Sequence, residues 1–214
     1  YFFVLLGASG LLYSLGASGQ QGEEGFRVVA FQTASLMTST GLATADFALW
    51  APGPLSVLIF VMLIGGCAGS AAGGAKAGRI LLVGRFLYRE MTRVIHPRAV
   101  IPIRMGIQTV SERVMRAVLT VVLLYIGGYF VLGIILVLCG LPWLEGFSAA
   151  LSSLGNIGPA LGSLGPMANF AGLENLPKSL LIFAMWAGRL EILTILALLH
   201  PDILRHLSWR DGSK

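Results

Sequence analysis

Two short polar turns carry the residues of this chain whose types and spacing could bind a cation. A cation that crosses a bilayer exchanges its water shell for other oxygens, and a short extended backbone with inward carbonyls supplies them. Glycine in such a turn permits the positive φ that aims successive carbonyls at one axis. The candidates are Thr38, Ser39, Thr40 and Gly41 in the first turn (residues 38–41), and Gly155, Asn156, Ile157 and Gly158 in the second turn (residues 155–158).

An apolar segment too short to cross a membrane precedes each turn. Residues 26–37 (FRVVAFQTASLM) predict a helix of ~18 Å, whereas the hydrocarbon core is ~30 Å thick. We expect a re-entrant half-helix whose C-terminal, negative dipole end faces the cation. Glu23 and Glu24 suit the opposite end, although Arg27 partly opposes them, and residues 147–154 form the second short segment. An ordinary Gly/Ser turn between spans remains the alternative, although the repetition favours ion binding.

Residues 47–75 form a run without charge that is broken near its middle by the sequence GGCAGSAAGG. Irregular backbone in hydrocarbon leaves polar groups unpaired at a cost of several kcal/mol each, so it persists only inside protein or beside water. We predict that this glycine loop (residues 65–74) gates a pathway, with Lys76 just after it. Close helix packing through Gly69, Gly73 and Gly78 is the alternative. The loop glycines are Gly65, Gly66, Gly69, Gly73 and Gly74.

Arg189 lies inside the apolar segment 178–199, which we predict to be the last membrane span. An arginine at the middle of a span costs ~2.5 to 3.5 kcal/mol on insertion scales, so it must face protein or water. Its planar set of donors suits carbonyls freed by a broken helix. We therefore predict that Arg189 binds the glycine loop and helps to close the pore. Glu191 points off that face, and a structural salt bridge to another helix remains the alternative.

The composition is that of an integral membrane protein, because 56% of the residues are hydrophobic, 12% are charged and the mean hydropathy is +0.81. Residues 76–116 carry nine Lys or Arg against Glu90 and Glu112, which predicts a cytoplasmic segment. Nucleic-acid binding is disfavoured, because the basic stretch is short, flanked by spans and poor in aromatic residues. The bilayer is the expected environment.

Hydropathy predicts an all-α membrane protein with two copies of helix, half-helix, turn and helix. Residues 1–19 form the first span, residues 54–88 a broken span and residues 116–139 another uninterrupted one. We expect one repeat at 1–95, a cytoplasmic connector at 96–113, a second repeat at 114–204 and a basic tail at 205–214. Tyr1 begins inside an apolar segment without an initiator Met, so we expect a fragment of a longer chain.

Enzyme motifs fail on inspection, so we predict no enzyme and no organic cofactor. Residues 69–76 resemble a phosphate loop, but Lys76 does not directly follow Gly74 and Ala77 replaces the hydroxyl residue. His96, His200 and His206 lack a nucleophile placed for a triad. Cys67 and Cys139 have no His or acidic neighbours at metal-ligand spacing.

Four segments resemble the third and fourth repeats of the Trk/Ktr/HKT superfamily of potassium transporters, in particular its bacterial Trk membrane subunits. They are TSTGLATADF, GGCAGSAAGGAKAGRI, SSLGNIGPALG and AGRLEILTILALLHP. The resemblance implies four such repeats around one pseudo-fourfold pore that transports potassium. It maps the potassium-coordinating positions onto Ser39 and Thr40 before Gly41, and Asn156 and Ile157 before Gly158, with Thr38 and Gly155 as flanking candidates. It also makes the glycine loop the gate.

The same resemblance implies several partners and a location. We expect a missing N-terminal half of the same polypeptide, a homodimer, and a cytoplasmic nucleotide-binding regulatory ring. The family implies a multi-pass protein of the bacterial inner membrane. Two rival functions remain open at this point: a secondary transporter with a substrate site at broken helices, and a helical scaffold that transports nothing.

Overall fold

The computed structural model describes residues 1–190 except Gln21, Ala68, Ala71, Val100 and Ile107. Helices dominate these residues, joined by loops and one small hairpin. In chain order the elements are α1 (Phe2–Ser14), α2 (Glu23–Met37), α3 (Pro52–Ile64), α4 (Ala77–Ile95), β1 (Arg104–Met105), β2 (Gln108–Thr109), α5 (Glu112–Leu138), α6 (Trp143–Gly155) and α7 (Asn175–Arg189). The order of helix, short helix, turn and helix occurs twice, as the hydropathy predicts.

The two short helices, α2 and α6, begin earlier than the apolar pattern indicates. Helix α2 starts at Glu23, three residues before the predicted segment, because Gly22 takes a φ of 82° and turns the chain directly into the helix. Helix α6 starts at Trp143, right after Pro142, and not at Phe147. With 15 and 13 residues, both helices are still only ~20 Å long, which is short of a ~30 Å hydrocarbon core.

Helices α3 and α4 are the two halves of the predicted broken span. Pro52 suits the first position of α3, because the backbone N–H that proline lacks would have no partner within the helix there. Gly65 ends the helix with a φ of 70°. Helix α4 resumes at Ala77 after Lys76, whose φ is 64°. Helix α3 is apolar throughout, whereas α4 carries arginines toward the predicted cytoplasmic side. The interruption therefore spans residues 65–76.

Helix α5 is the single helix in the described part of the chain that is long and apolar enough to cross a membrane by itself. It has 27 residues and begins at a side-chain cap, where Val114 N donates to Ser111 Oγ at 3.4 Å. Helices α1 and α3 are apolar but have only 13 residues each. The start of α5 at Glu112 lies four residues before the predicted span.

Helix α6 lies at the centre of the packing and contacts α3, α5 and α7. Its last eight residues, 148–155, are all buried. Small residues in α6 allow this close packing, since Gly146, Ala149 and Ala150 present little side-chain bulk. The other short helix, α2, packs against α1 and α3. The second turn therefore begins inside protein at Gly155, and the first turn follows the buried residues 35–37.

The connector between α4 and α5 contains a hairpin that the sequence analysis does not predict. Strands β1 and β2 pair antiparallel, and Gly106 in the turn between them has a φ of 62°. Two-residue strands are too short to show an alternating pattern in the sequence. Leu82 of α4, Ile103 beside the hairpin and Met115 of α5 form a small buried cluster that holds the connector in place.

The last predicted span is only partly described. Helix α7 begins at Asn175, three residues before the predicted start at Lys178, because Pro177 fits in its first turn. The described part ends at Leu190. The remainder of the predicted span to Leu199, with Glu191, His200, His206 and the basic tail, lies outside the described residues.

Two glycines of α5 test the packing of α5 against α6. An alanine Cβ at Gly133 would lie 2.6 Å from the Phe147 ring, whereas one at Gly127 on the same helix would meet nothing within 4 Å. We expect Gly133→Ala to destabilise the protein by about 1 to 3 kcal/mol through overpacking. Gly127→Ala should leave stability unchanged or raise it slightly, by helix propensity. Thermal unfolding in detergent measures both, and equal midpoints would contradict the described interface.

Candidate functional site

The first and second turns have positive φ at the same two positions, although their residues differ. Ser39 and Asn156 both adopt the left-handed region, with φ of 56° and 50°. The glycines two positions later also have positive φ, 74° at Gly41 and 116° at Gly158. A side-chain-bearing residue with positive φ is uncommon. Its occurrence at the same place in both copies shows that the repeat lies in the backbone as well as in the hydropathy.

Both turns are also held by the same hydrogen bonds to the preceding helix. Thr40 N donates to the Ser35 carbonyl and Ile157 N to the Ser152 carbonyl, each at 2.9 Å. Ser39 N donates to the carbonyl of Leu36 at 3.2 Å, and Asn156 N donates to its counterpart Ser153 at 3.1 Å. The last turn of each short helix thus continues directly into the candidate binding segment.

Two serine hydroxyls that the sequence analysis did not single out support these turns. Ser35 Oγ donates to the Leu42 carbonyl at 2.6 Å, and Gly158 N donates to Ser152 Oγ at 3.1 Å. Each serine stands six positions before the glycine of its turn. That shared spacing is the signal by which the two residues could have been found. The buried hydroxyls satisfy backbone groups that the irregular turns would otherwise leave unpaired.

The two turns lie against each other, although they are more than a hundred residues apart in the chain. A Cβ built on Gly41 would overlap the carbonyl oxygen of Ile157 and would lie 3.3 Å from Pro159. Position 41 therefore requires glycine for two reasons: its φ is positive, and a side chain would not fit at this contact. The structure thus brings the two predicted ion-binding segments together.

The side chains of the two turns make different hydrogen bonds. Thr38 Oγ1 and Thr40 Oγ1 share a hydrogen bond of 2.8 Å across the first turn. In the second turn Asn156 Nδ2 donates to the Met185 carbonyl on α7 at 3.1 Å, and Ile157 is buried. What the turns have in common is therefore main-chain geometry. Gly155, predicted to flank the second turn, is the last residue of α6.

Electrostatics favour a cation at the end of both short helices. Helix α2 has Glu23 and Glu24 in its first turn, and α6 has Glu145 in its first turn. Both helices end with their C-termini, the negative ends of their dipoles, at the two turns. Glu145 also accepts hydrogen bonds from Ser163 N at 3.0 Å and Ser163 Oγ at 2.7 Å. This carboxylate anchors the loop that leaves the second turn.

The glycine loop closes on itself between α3 and α4. A Cβ on Gly65 would lie 2.6 Å from the Gly73 carbonyl oxygen, and one on Gly74 would lie 2.9 Å from the Gly65 Cα. Ala77 N donates to the Gly66 carbonyl at 3.0 Å, and Lys76 Nζ donates to the Ser70 carbonyl at 3.3 Å. The two ends of the interruption therefore lie side by side.

One glycine of this loop touches the second turn. A Cβ on Gly73 would overlap the carbonyl group of Gly155 and lie 2.9 Å from its Cα. Gly65, Gly66, Gly73 and Gly74 all make such close approaches, whereas a Cβ on Gly69 would meet nothing within 4 Å. The five glycines are thus not equivalent. Among the described residues, Gly69 makes no close approach, and the helix-packing alternative stays open.

Arg189 is the final residue of α7, next to another close approach. A Cβ on Gly188 would overlap the carbonyl oxygen of Leu154, the neighbour of Gly155 in α6. The end of α7 and Gly73 of the loop therefore contact adjacent residues of α6. A bond between Arg189 and the loop stays a prediction.

A metal site built from side chains is not present in the described ranges, where three or more His, Cys, Asp or Glu residues do not gather around one point. Cys67 is exposed and Cys139 half-buried, and both are free thiols.

Comparison with known proteins identifies relatives that share both sequence and structure. The chain is 37% identical over 183 residues to a Trk system potassium uptake protein TrkH of Halomonas elongata, and 39% identical over 182 residues to that of Vibrio parahaemolyticus. Each alignment covers 85% of this chain but 37% of the relative. The chain thus spans little more than a third of the length of these relatives.

The crystal structure of the potassium transporter TrkH from Vibrio parahaemolyticus superimposes with a TM-score of 0.82 and 36% sequence identity. The superposition covers 94% of this chain and 42% of that structure. The predicted helical membrane-protein fold is therefore confirmed. The TrkH family, described as cation transport protein, matches residues 17–202, and the chain accordingly belongs to the TrkH family of cation transport proteins.

Proposed function

We propose that this chain forms part of a potassium pathway, in which the first and second turns coordinate the dehydrated ion through their carbonyl oxygens. The observation that carries this proposal is the contact between Gly41 and Ile157, which joins two turns that have positive φ at the same two positions. In an extended strand successive carbonyls point to opposite sides. Residues with positive φ at alternate positions bring successive carbonyls toward one side, as a ring of ion ligands requires.

The proposed ion ligands are the carbonyls of Ser39, Thr40, Asn156 and Ile157, with Thr38, Gly41, Gly155 and Gly158 flanking them. The hydroxyl pair Thr38–Thr40 and the bond from Asn156 to α7 stiffen the two turns by different means. Coordination by carbonyls tolerates this difference, because the main-chain oxygen is the same in every residue. Potassium is then the transported substrate, and the proposal requires no organic cofactor.

The glycine loop is the proposed gate of this pathway. Its contact with Gly155 through Gly73 supports this role, because a loop that abuts the base of the second turn can obstruct the exit of an ion. Glycines let the loop change conformation with little steric penalty. Lys76 and Arg189 are proposed to stabilise the closed loop by donating hydrogen bonds to its carbonyls.

The remaining proposals concern the whole transporter. Two turns cannot surround an ion by themselves, and the relatives are more than twice as long as this chain. We therefore propose that two further repeats in the same polypeptide complete a fourfold pore in the bacterial inner membrane. A homodimer bound to a cytoplasmic nucleotide-binding ring is the proposed assembly, with the basic stretch from α4 to α5 as its cytoplasmic surface.

Gly41→Ala tests the ion-binding turns. The new methyl group would overlap the Ile157 carbonyl, and alanine at positive φ costs a further ~1 to 2 kcal/mol. We expect potassium uptake by the complete transporter to fall at least about tenfold, because 1.4 kcal/mol corresponds to a factor of ten. Rubidium or potassium flux in cells that lack other uptake systems measures this.

Gly172→Ala is the matched control, because a Cβ at this exposed loop glycine would meet nothing within 4 Å. It should transport at the wild-type rate. Unchanged flux in Gly41→Ala would rule out the ion-binding role of the turns and favour a scaffold. Saturable flux that requires a second, coupled ion would favour the secondary transporter.

Gly73→Ala tests the gate. The added methyl group cannot fit against Gly155, so the loop must move away from the second turn. We expect a higher potassium leak in the absence of nucleotide, measured in proteoliposomes loaded with a potassium-sensitive dye. Gly69→Ala, in the same loop but with open space around it, should leave the leak unchanged. Equal leaks in the two variants would contradict the gating role.

Arg189→Ala tests the proposed clamp on the loop. Loss of the guanidinium removes its charge and its hydrogen-bond donors, so the closed loop should be less stable and the nucleotide-free leak should rise. Arg189→Lys keeps the charge but not the planar donor set, and we expect an intermediate leak. A folded Arg189→Ala protein with the wild-type leak would overturn this role.

A further inference from the structure

The connector between α4 and α5 forms a small cationic cavity that the ion pathway does not use. Its walls include Arg85 and Arg89 of α4, Arg104 of β1 and the aromatic Tyr88. The cavity encloses about 180 Å³, several times the ~30 Å³ that one water molecule occupies in the liquid. A group of the size of a phosphate can therefore enter it.

Arg89 is the fixed wall of this cavity. Only 4% of the residue is exposed, and its guanidinium lies 5.0 Å from the centre of the Phe86 ring. Its Nη2 donates to Glu112 Oε2 at 3.3 Å, its Nη1 donates to Glu112 Oε1, and its Nε donates to Glu90 Oε1 at 3.0 Å. These bonds join α4 to the start of α5 and neutralise the buried charge.

Arg85 and Arg104 are the exposed donors at the cavity. Arg85 Nη1 donates to the main-chain carbonyl of Arg104, which holds the hairpin against α4. A guanidinium carries five N–H donors in a planar fork, so this bond leaves Arg85 donors for a ligand. The two carboxylates, Glu90 and Glu112, are engaged by Arg89 and Arg93. The charge offered at the cavity is therefore positive.

The hydropathy of α5 predicts that the cavity lies at the edge of the membrane. Glu112, the partner of Arg89, stands five positions before the uncharged run 117–144 of α5 and the following turn. Five helical residues rise ~7.5 Å, which corresponds to the headgroup layer next to the hydrocarbon. Tyr88, 70% exposed beside the cavity, is of the type that concentrates at this depth. Among the anions that could enter the cavity, a phospholipid headgroup therefore lies at the same depth in the membrane as the cavity.

We propose that this cavity binds the phosphate of an anionic phospholipid from the cytoplasmic leaflet, with Arg85 and Arg104 as its ligands. Arginine is suited to this task, because its parallel N–H groups match two phosphate oxygens. The bound lipid would tie the hairpin to α4, which continues from the glycine loop. The site is independent of the proposed ion pathway, so either can fail without the other.

The test is phosphatidylglycerol binding to the complete, detergent-solubilised protein, measured by native mass spectrometry. The variant Arg85→Gln with Arg104→Gln removes both proposed ligands and leaves the Arg89 pair intact. We expect its affinity to fall about 30-fold, since the hydrogen bonds of each arginine to the phosphate contribute ~1 kcal/mol or more. The matched control, Arg98→Gln with Arg113→Gln, removes the same charge from exposed arginines that do not line the cavity. It should lose less than about threefold, because exposed charges outside the cavity make no hydrogen bond to the lipid and are screened by salt.

Two results would overturn the proposal: unchanged affinity in the cavity variant, or an equal loss in both variants, which indicates general attraction to the basic stretch. Inorganic phosphate is the second probe. A saturable rise in melting temperature with phosphate, lost in the cavity variant, would replace the lipid by a soluble anion and so overturn the assignment. If the double variant does not elute as folded protein, Arg104→Gln alone should still weaken phosphatidylglycerol binding about fivefold.

Discussion

Close approach of backbone to backbone at residues 154–157 is the constraint on which the rest of this structure depends. Three glycines from three elements meet the carbonyls of this segment: Gly188 of α7 meets Leu154, Gly73 of the glycine loop meets Gly155, and Gly41 of the first turn meets Ile157. A Cβ at any of the three would overlap a main-chain atom. Four residues thus connect the last helix, the proposed gate and both proposed ion-binding turns.

This constraint explains why helix α6 is short and why its last eight residues are buried. A segment approached by backbone on three sides cannot keep large side chains or water around it, and its polar groups must find partners inside the protein. Ser148 and Ser152 supply such partners to Leu161 N and Gly158 N, at 3.0 and 3.1 Å. The serines of the short helix therefore provide hydrogen-bond partners for the backbone of the segment that follows it. Irregular backbone in a membrane protein requires such partners.

Both the sequence and the structure contain the repeat. In the sequence it is a pattern of hydropathy, and in the structure it is a pattern of main-chain conformation. The two copies have little residue identity, yet Ser39 and Asn156 share a left-handed conformation and Ser35 and Ser152 share a role. Main-chain hydrogen bonds are indifferent to side-chain identity, so the turn can persist while Thr40 is replaced by Ile157. The connector between α4 and α5 is held separately, because the Arg89–Glu112 pair and the cluster around Met115 join the two helices.

The sequence by itself determined the membrane class, both short helices, the glycine loop, both turns and the family resemblance, because hydropathy, helix length and glycine spacing are local properties. It misplaced the starts of α2, α5, α6 and α7 by three or four residues, since Gly22 and Ser111, Pro142 before α6 and Pro177 in the first turn of α7 allow helices to begin earlier than the apolar pattern. Only the tertiary structure decided that Gly41 meets Ile157, that Gly73 but not Gly69 is crowded, and that a hairpin and Arg85 enclose a cationic cavity. These contacts join residues far apart in the chain, and the pattern of neighbouring residues carries no signal for them.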